Sequence, residues 1–167
     1  MPSLPSIQPW QQKYAGVDRE AIWTALFAWF QTQIGGYFTT MSRKHLMPPE
    51  LSLEAQPAFF LVQLKEQRAG STQGTPNKLA MHGCIVIYLP APETNETPGS
   101  ETQLAATNLN AIYRAIDYAM VPDNLQTGKF TVGGLVTHCW IEGDLDQDPG
   151  IFSSQAAAIL PIHILVP

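Results

Sequence analysis

Apolar residues recur at helical spacing in two stretches of the chain. The first lies between Asp18, a residue type favoured at helix N-caps, and Gly35–Gly36, a pair typical of helix ends. The second begins at Ser100, which can cap a helix, and continues to Met120, just before Pro122. We predict a helix in each stretch. The residues that mark the two stripes are Ile22, Leu26, Trp29, Phe30, Leu109, Ile112, Tyr113, Ile116 and Met120.

The apolar stripe of the first helix is unusually wide. Trp23, Phe27 and Ile34 extend it beyond what one face of a sheet can cover. Either the helix is enclosed within the subunit, or its second face meets another chain. The pattern favours the second arrangement.

Alternating or continuous apolar runs predict five strands, separated by polar segments rich in turn-forming residues. The third strand is apolar on both faces, which is typical of the centre of a sheet. The predicted strands are Tyr37 to His45, Gln56 to Leu64, Lys78 to Leu89, Leu135 to Glu142 and Ala156 to Val166, and the predicted loops and linker are residues 67–77, 90–100 and 143–150.

The resulting order is helix, three strands, helix, two strands. Consecutive strands favour antiparallel pairing, so we predict an α+β fold: a mixed, mainly antiparallel sheet of about five strands with two helices on one face. Residues 1–17 contain prolines at positions 2, 5 and 9 and are predicted to form an N-terminal arm. Residues 18–167 are predicted to form a single domain.

Charge is scarce in this chain of 167 residues. Charged side chains make up 14% of it, the formal net charge is −5, and the longest basic run is Arg43–Lys44. Sequence-specific nucleic-acid binding is therefore not expected, because such proteins carry a basic face. The low charge fits either a surface covered by partners or a solvated surface of neutral polar residues. No stretch has the length of a membrane span or the apolar core of a signal peptide, so we expect the protein to begin in the cytosol.

Two groups of residues could suggest a metal site. Asp144, Asp146 and Asp148 alternate as calcium ligands do, but an EF-hand would need a glutamate where Gln155 stands, and the loop joins strands. His82, Cys84, His138 and Cys139 are zinc-ligand types, but adjacent residues of one strand point to opposite faces and cannot converge. No metal is predicted.

Catalytic motifs are likewise not found. The sequence contains no nucleophile elbow and no phosphate-binding loop, and Gly133–Gly134 favours a bulge or a close backbone contact. Cys84 and Cys139 lie in apolar runs typical of buried free thiols. We therefore predict no enzyme, no catalytic residue and no cofactor.

Several segments, taken in order and spacing, resemble one family: the tail-terminator-type minor tail proteins of long-tailed bacteriophages and prophages of Gram-negative bacteria. None is a strong signature alone, but together they span most of residues 18–167. The segments are Ala21 to Phe27, Met41 to Arg43, Gln56 to Gln63, Leu109 to Ile112, Val132 to Gly143 and Ala156 to Val166.

The resemblance implies a structural virion protein. Such proteins form a ring, usually a hexamer, at the head-proximal end of the tail tube, stop tube polymerisation and join the tail to the head connector. The implied partners are further copies of the chain, the major tail tube protein and the connector or neck protein; the implied location is the virion, after assembly in the host cytoplasm. No catalytic residue follows from the family. The expected interface residues, chosen because aromatic and arginine side chains dominate interfaces, are Trp23, Phe27, Arg43, Trp140, Glu142 and Asp144.

Other functions remain open at this stage. Within phage assembly, the alternatives are another neck or head-completion protein or a subunit of the tail tube. A metal-dependent enzyme would depend on the aspartate loop and the His/Cys pairs, and a small-ligand-binding module on the apolar sheet alone.

Overall fold

The computed structural model describes residues 17–69, 78–91, 100–148 and 155–166. They form an α+β fold, as predicted, with two helices and a six-stranded, mostly antiparallel sheet. The helices are α1 (Arg19–Ile34) and α2 (Ser100–Ala119). The strands are β1 (Thr40–Ser42), β2 (Ala58–Ala69), β3 (Lys78–Pro90), β4 (His138–Ile141), β5 (Asp146–Asp148) and β6 (Gln155–Val166).

The sheet has the order β1-β2-β3-β6-β4, and β5 also pairs with β6. β1 runs parallel to β2, and every other pair is antiparallel. β3 therefore lies at the centre, which confirms the expectation from its two apolar faces. Both helices contribute to one core cluster with the same sheet face, here called the inner face. A smaller cluster around Phe60 and Tyr88 lies on the opposite, outer face.

The ends of α1 follow the sequence signals. The Asp18 carboxylate accepts a hydrogen bond from the Ala21 amide at 2.9 Å, which satisfies one of the free amides of the first turn. The helix ends at Ile34, and Gly35 is its C-cap. At α2, by contrast, Ser100 is the first helical residue rather than the cap.

Several predicted boundaries are wrong. The first strand shrinks from Tyr37–His45 to Thr40–Ser42, because residues 35–37 form a 3-10 turn and β1 pairs only with the first three residues of β2. The fourth strand begins at His138 instead of Leu135, because a turn fills the preceding residues. β2 continues to Ala69, three residues into the predicted 67–77 loop.

The segment 143–150 is not the simple linker that was predicted. Its residues Asp146–Asp148 form β5, opposite Ala157, Ala158 and Ile159 of β6. Acidic residues have low strand propensity, but the unpaired edge of β6 supplies hydrogen-bonding partners that override it.

The expected arm, residues 1–17, lies outside the described residues except for Val17. That residue packs against the inner core, so it belongs to the folded domain and not to an arm. Residues 70–77 and 92–99 of the predicted loops also lie outside the described residues.

Candidate interaction surfaces

Trp23 is part of the core and cannot be an interface residue as predicted. Its side chain is only 1% exposed. The ring lies directly over Gly83 of β3: a Cβ atom added to Gly83 would be 2.6 Å from Cη2 of Trp23. The glycine leaves the space on the inner face that the indole occupies, so Trp23 has no side-chain surface left for a partner.

The rest of the wide apolar stripe of α1 is also covered largely within the subunit. The Trp29 indole N–H donates to the backbone carbonyl of Ala119 at 2.7 Å, and its ring packs 5.6 Å from that of Phe130. Phe27 is half-buried against the same core. Ala119 at the end of α2 and Phe130 in the segment that follows it help to cover this stripe, so the apolar width of α1 does not by itself require a second chain.

Arg43 lies at one edge of the sheet, directly after β1. Its guanidinium donates to both carboxylate oxygens of Glu20, one of them at 3.1 Å, and to the hydroxyl of Thr24 at 3.1 Å. The hydrogen bond from Arg43, and then that from Thr24, lower the pKa of Glu20. On α1, Phe27 follows Glu20 and Thr24 at helical spacing, so it lies on the same helix face as the two partners of Arg43. We call Phe27, Arg43 and the exposed Lys44 the β1 edge.

Trp140, Glu142 and Asp144 lie at the opposite edge of the sheet, in and after β4. The half-buried Trp140 donates its indole N–H to Oε2 of Glu142 at 2.6 Å, which holds the indole and the carboxylate together. Asp144 is exposed two residues further on. We call these three residues the β4 edge.

The two edges lie at similar positions along the strand direction of the sheet. Ser42 is aligned through Phe60 and Val86 with Ile159 of β6, whereas Ile141 is aligned with Ile162. Three residues of a strand correspond to about 10 Å. The structure thus separates the predicted contact residues into a surface with Arg43 and Lys44 and a surface with Glu142 and Asp144, on opposite sides of the sheet.

β1, β4 and β5 are too short for extensive strand addition, but β1 covers only the first three residues of β2, and no strand in the described ranges pairs with residues 61–69 on that side. β1 has three residues, β4 four and β5 three. Short strands flanked by charges are typical of edges that resist pairing with other chains. A contact made through β1, β4 or β5 themselves would therefore depend on side chains.

A turn that the sequence did not reveal positions β4. The Asp123 carboxylate accepts hydrogen bonds from the amide of Thr131 at 2.7 Å, the hydroxyl of Thr131 at 2.9 Å and the amide of Gly133 at 2.9 Å. Burial raises the pKa of Asp123, but the bonds from Gly133 and Thr131 together outweigh it, so that the pKa is lowered. Gly133 and Gly134 have φ of 68° and 87°, so they form a left-handed turn and not the predicted bulge.

Replacing this carboxylate is expected to loosen the turn. Asp123→Ala removes all three acceptor contacts, and we expect a loss of about 1–2 kcal/mol in the free energy of unfolding. Chemical denaturation of the variant, beside Asp117→Ala on the exposed face of α2, measures the effect. Equal stability of the two variants would contradict the assignment of the turn to Asp123.

The two cysteines are buried free thiols, as predicted. Cys84 belongs to the outer cluster and Cys139 to the inner one, so the sheet separates them. Burial raises the pKa of both thiols, to about 12 for Cys139. A raised pKa lowers the fraction of thiolate near neutral pH, which is typical of structural rather than reactive cysteines.

In the described ranges, no group of three or more His, Cys, Asp or Glu side chains has an arrangement that could hold a metal ion. His82, Cys84 and His138 lie toward the outer face, and Cys139 is buried on the inner one. Neither helix of the described chain is long and apolar enough to cross a membrane.

Comparisons with known proteins assign no family. No protein-family model matches the chain, and the search of curated proteins found no similar sequence.

Proposed function

We propose that the protein is a structural component of a bacteriophage tail and forms a ring at the head-proximal end of the tail tube, through side-chain contacts between neighbouring subunits. In this role it would stop tube polymerisation and offer a surface to the head connector. The sequence resemblance supports this proposal, and the α+β fold is the one that the resemblance implies.

The observation that carries the proposal is the placement of the contact candidates. A closed ring of identical subunits is built from a head-to-tail contact between two different surfaces of each subunit. The β1 edge carries Lys44 beside Arg43, whose charge is paired with Glu20, and the β4 edge carries Glu142 and Asp144, so Lys44 and the two carboxylates are opposite in sign. Complementary charge favours encounter and fixes the register of neighbours.

Trp23 is enclosed in the core, so its side chain is not available for the contact between subunits that the sequence suggested. The proposed contact therefore does not involve the apolar core of α1. It depends on the half-buried side chains of Phe27 and Trp140 and on the charges beside them.

The test uses the purified full-length protein and tail tubes assembled without their natural cap. We expect negative-stain images to show a ring at one end of each tube, and tube elongation to cease when the protein is added. Indefinite polymerisation of the protein alone would instead identify a tube subunit. A protein that neither forms rings nor affects tube length, in solution or on tubes, would overturn the proposal.

A further inference from the structure

Four aromatic rings form a continuous row across the outer face. His138 stacks on Trp140 at a centroid distance of 4.9 Å, Trp140 stacks on His163 at 5.5 Å, and His163 meets His82 edge-on at 4.7 Å. The pairing register explains the row, because Trp140 is opposite His163 and His163 is opposite His82. We call these four residues the histidine row.

Positive charge approaches the row from β2. Lys65 is opposite His82, on the far side from His163. A bulge between Gln63 and Lys65 shifts the register and brings the lysine opposite the histidine. Protonated His82 would therefore have the imidazole of His163 on one flanking strand and the ammonium group of Lys65 on the other.

Compensating negative charge is poorly placed. Glu142 is the acidic residue nearest in sequence to β4, and its carboxylate already accepts the Trp140 indole N–H. It is the backbone carbonyl oxygen of Glu142, and not its carboxylate, that lies 3.0 Å from Nε2 of His163. On its own strand, His82 has Cys84 two residues away, and burial raises the pKa of that thiol, so it stays neutral.

His82 also lacks a partner for one ring nitrogen. Its Nε2 is buried and makes no hydrogen bond within the described part of the chain. In a neutral imidazole, one nitrogen is an unprotonated acceptor, whereas both nitrogens of the cation carry a proton that needs an acceptor. The surroundings of Nε2 thus favour the neutral ring.

We propose that the histidine row is a proton-sensitive element of the fold. Protonation of His82 places a positive charge next to His163 and Lys65 and thereby destabilises the outer face. This inference is independent of the proposed function, since it concerns the stability of the single subunit.

The direction of the pH dependence follows from linkage. Burial, and then the charges of His163 and Lys65, lower the pKa of His82 in the folded protein. Below the unfolded value of about 6.5, the unfolded chain binds a proton that the folded chain excludes. Stability is therefore complete above this pH and is lost as the pH falls towards the folded pKa. The unfolding constant rises by up to about tenfold per pH unit in that window.

The experiment compares the unfolding constants of the full chain at pH 7.5 and pH 5.5. His82→Gln is expected to reduce the increase on acidification by several-fold, because it removes the excluded proton. Lys65→Gln is expected to reduce it in part, whereas Arg114→Gln, the loss of one positive charge on the exposed face of α2, leaves the parent's response. An unchanged response in His82→Gln would overturn the proposal.

A second measurement covers the case in which His82→Gln does not fold. NMR titration of the imidazole protons in the parent protein should give His82 a midpoint below 6.5, and Lys65→Gln should raise that midpoint. A midpoint at the ordinary histidine value, or one unaffected by Lys65→Gln, would refute the role of the row.

Discussion

Gly83→Ala is expected to destabilise the protein by about 3 kcal/mol, near the upper end of the cost of overpacking a core. The added Cβ would lie 2.5 Å from the carbonyl oxygen of Val62 and 2.6 Å from Cη2 of Trp23. Neither neighbour can easily move. The oxygen belongs to the backbone of the adjacent strand, and the indole is enclosed in the core at 1% exposure.

Thermal or chemical denaturation measures this loss, which for a chain of this length corresponds to a fall in Tm of roughly 6–12 °C. Gly36→Ala is the matched control, because a Cβ at that exposed position would meet no atom within 4 Å. We expect the control to remain within about 0.5 kcal/mol of the parent. Comparable stability of the two variants would mean that Trp23 does not pack on Gly83 as described.

Reversal of charge at either edge of the sheet is expected to reduce ring formation at the tube end at least tenfold. Lys44→Glu replaces a cation of the β1 edge by an anion, and Asp144→Lys replaces an anion of the β4 edge by a cation; both side chains are exposed. An exposed ion pair contributes only about 0.5 kcal/mol. A closed ring repeats each contact at every interface. The free-energy cost of changing attraction to repulsion is therefore added over roughly six contacts in a hexamer. We therefore expect each single variant to cap tubes at least tenfold less well.

The double variant tests whether the two edges contact each other through their charges. Lys44→Glu with Asp144→Lys restores opposite charges across the contact and should recover capping, and high salt should weaken all of these differences. Arg114→Glu and Glu54→Lys are matched reversals on exposed surfaces away from the paired edges. Failure of the double variant to recover, while every variant remains folded, would exclude this pairing of edges. The ring itself would then remain to be tested by imaging of the parent protein.

Local signals in the sequence predicted the fold class well. The cap at Asp18, the stop at Gly35 and the long apolar runs of β3 and β6 are interactions between near neighbours, and the structure retains them. β5 was missed because its polar residues carry no strand signal of their own. The turn at Asp123 was missed for a related reason, since its bonds join residues eight and ten positions apart.

The candidate contact surfaces were predicted only in part. The sequence identified Trp23 and Phe27 as excess apolar residues on one helix, but it could not reveal that Gly83, sixty positions away from Trp23, leaves room for the indole. Nor could it indicate that Arg43 and Glu142 lie at opposite edges of the sheet, because strand order is not contained in any local pattern.

The sequence by itself therefore determined the helices, the principal strands and the two-layer design, because spacing and capping act over a few residues. The tertiary structure alone decided which apolar side chains are enclosed, which charges face outward together and which histidines share a row. Those properties depend on strand order and register, which arise when distant segments pack against one another.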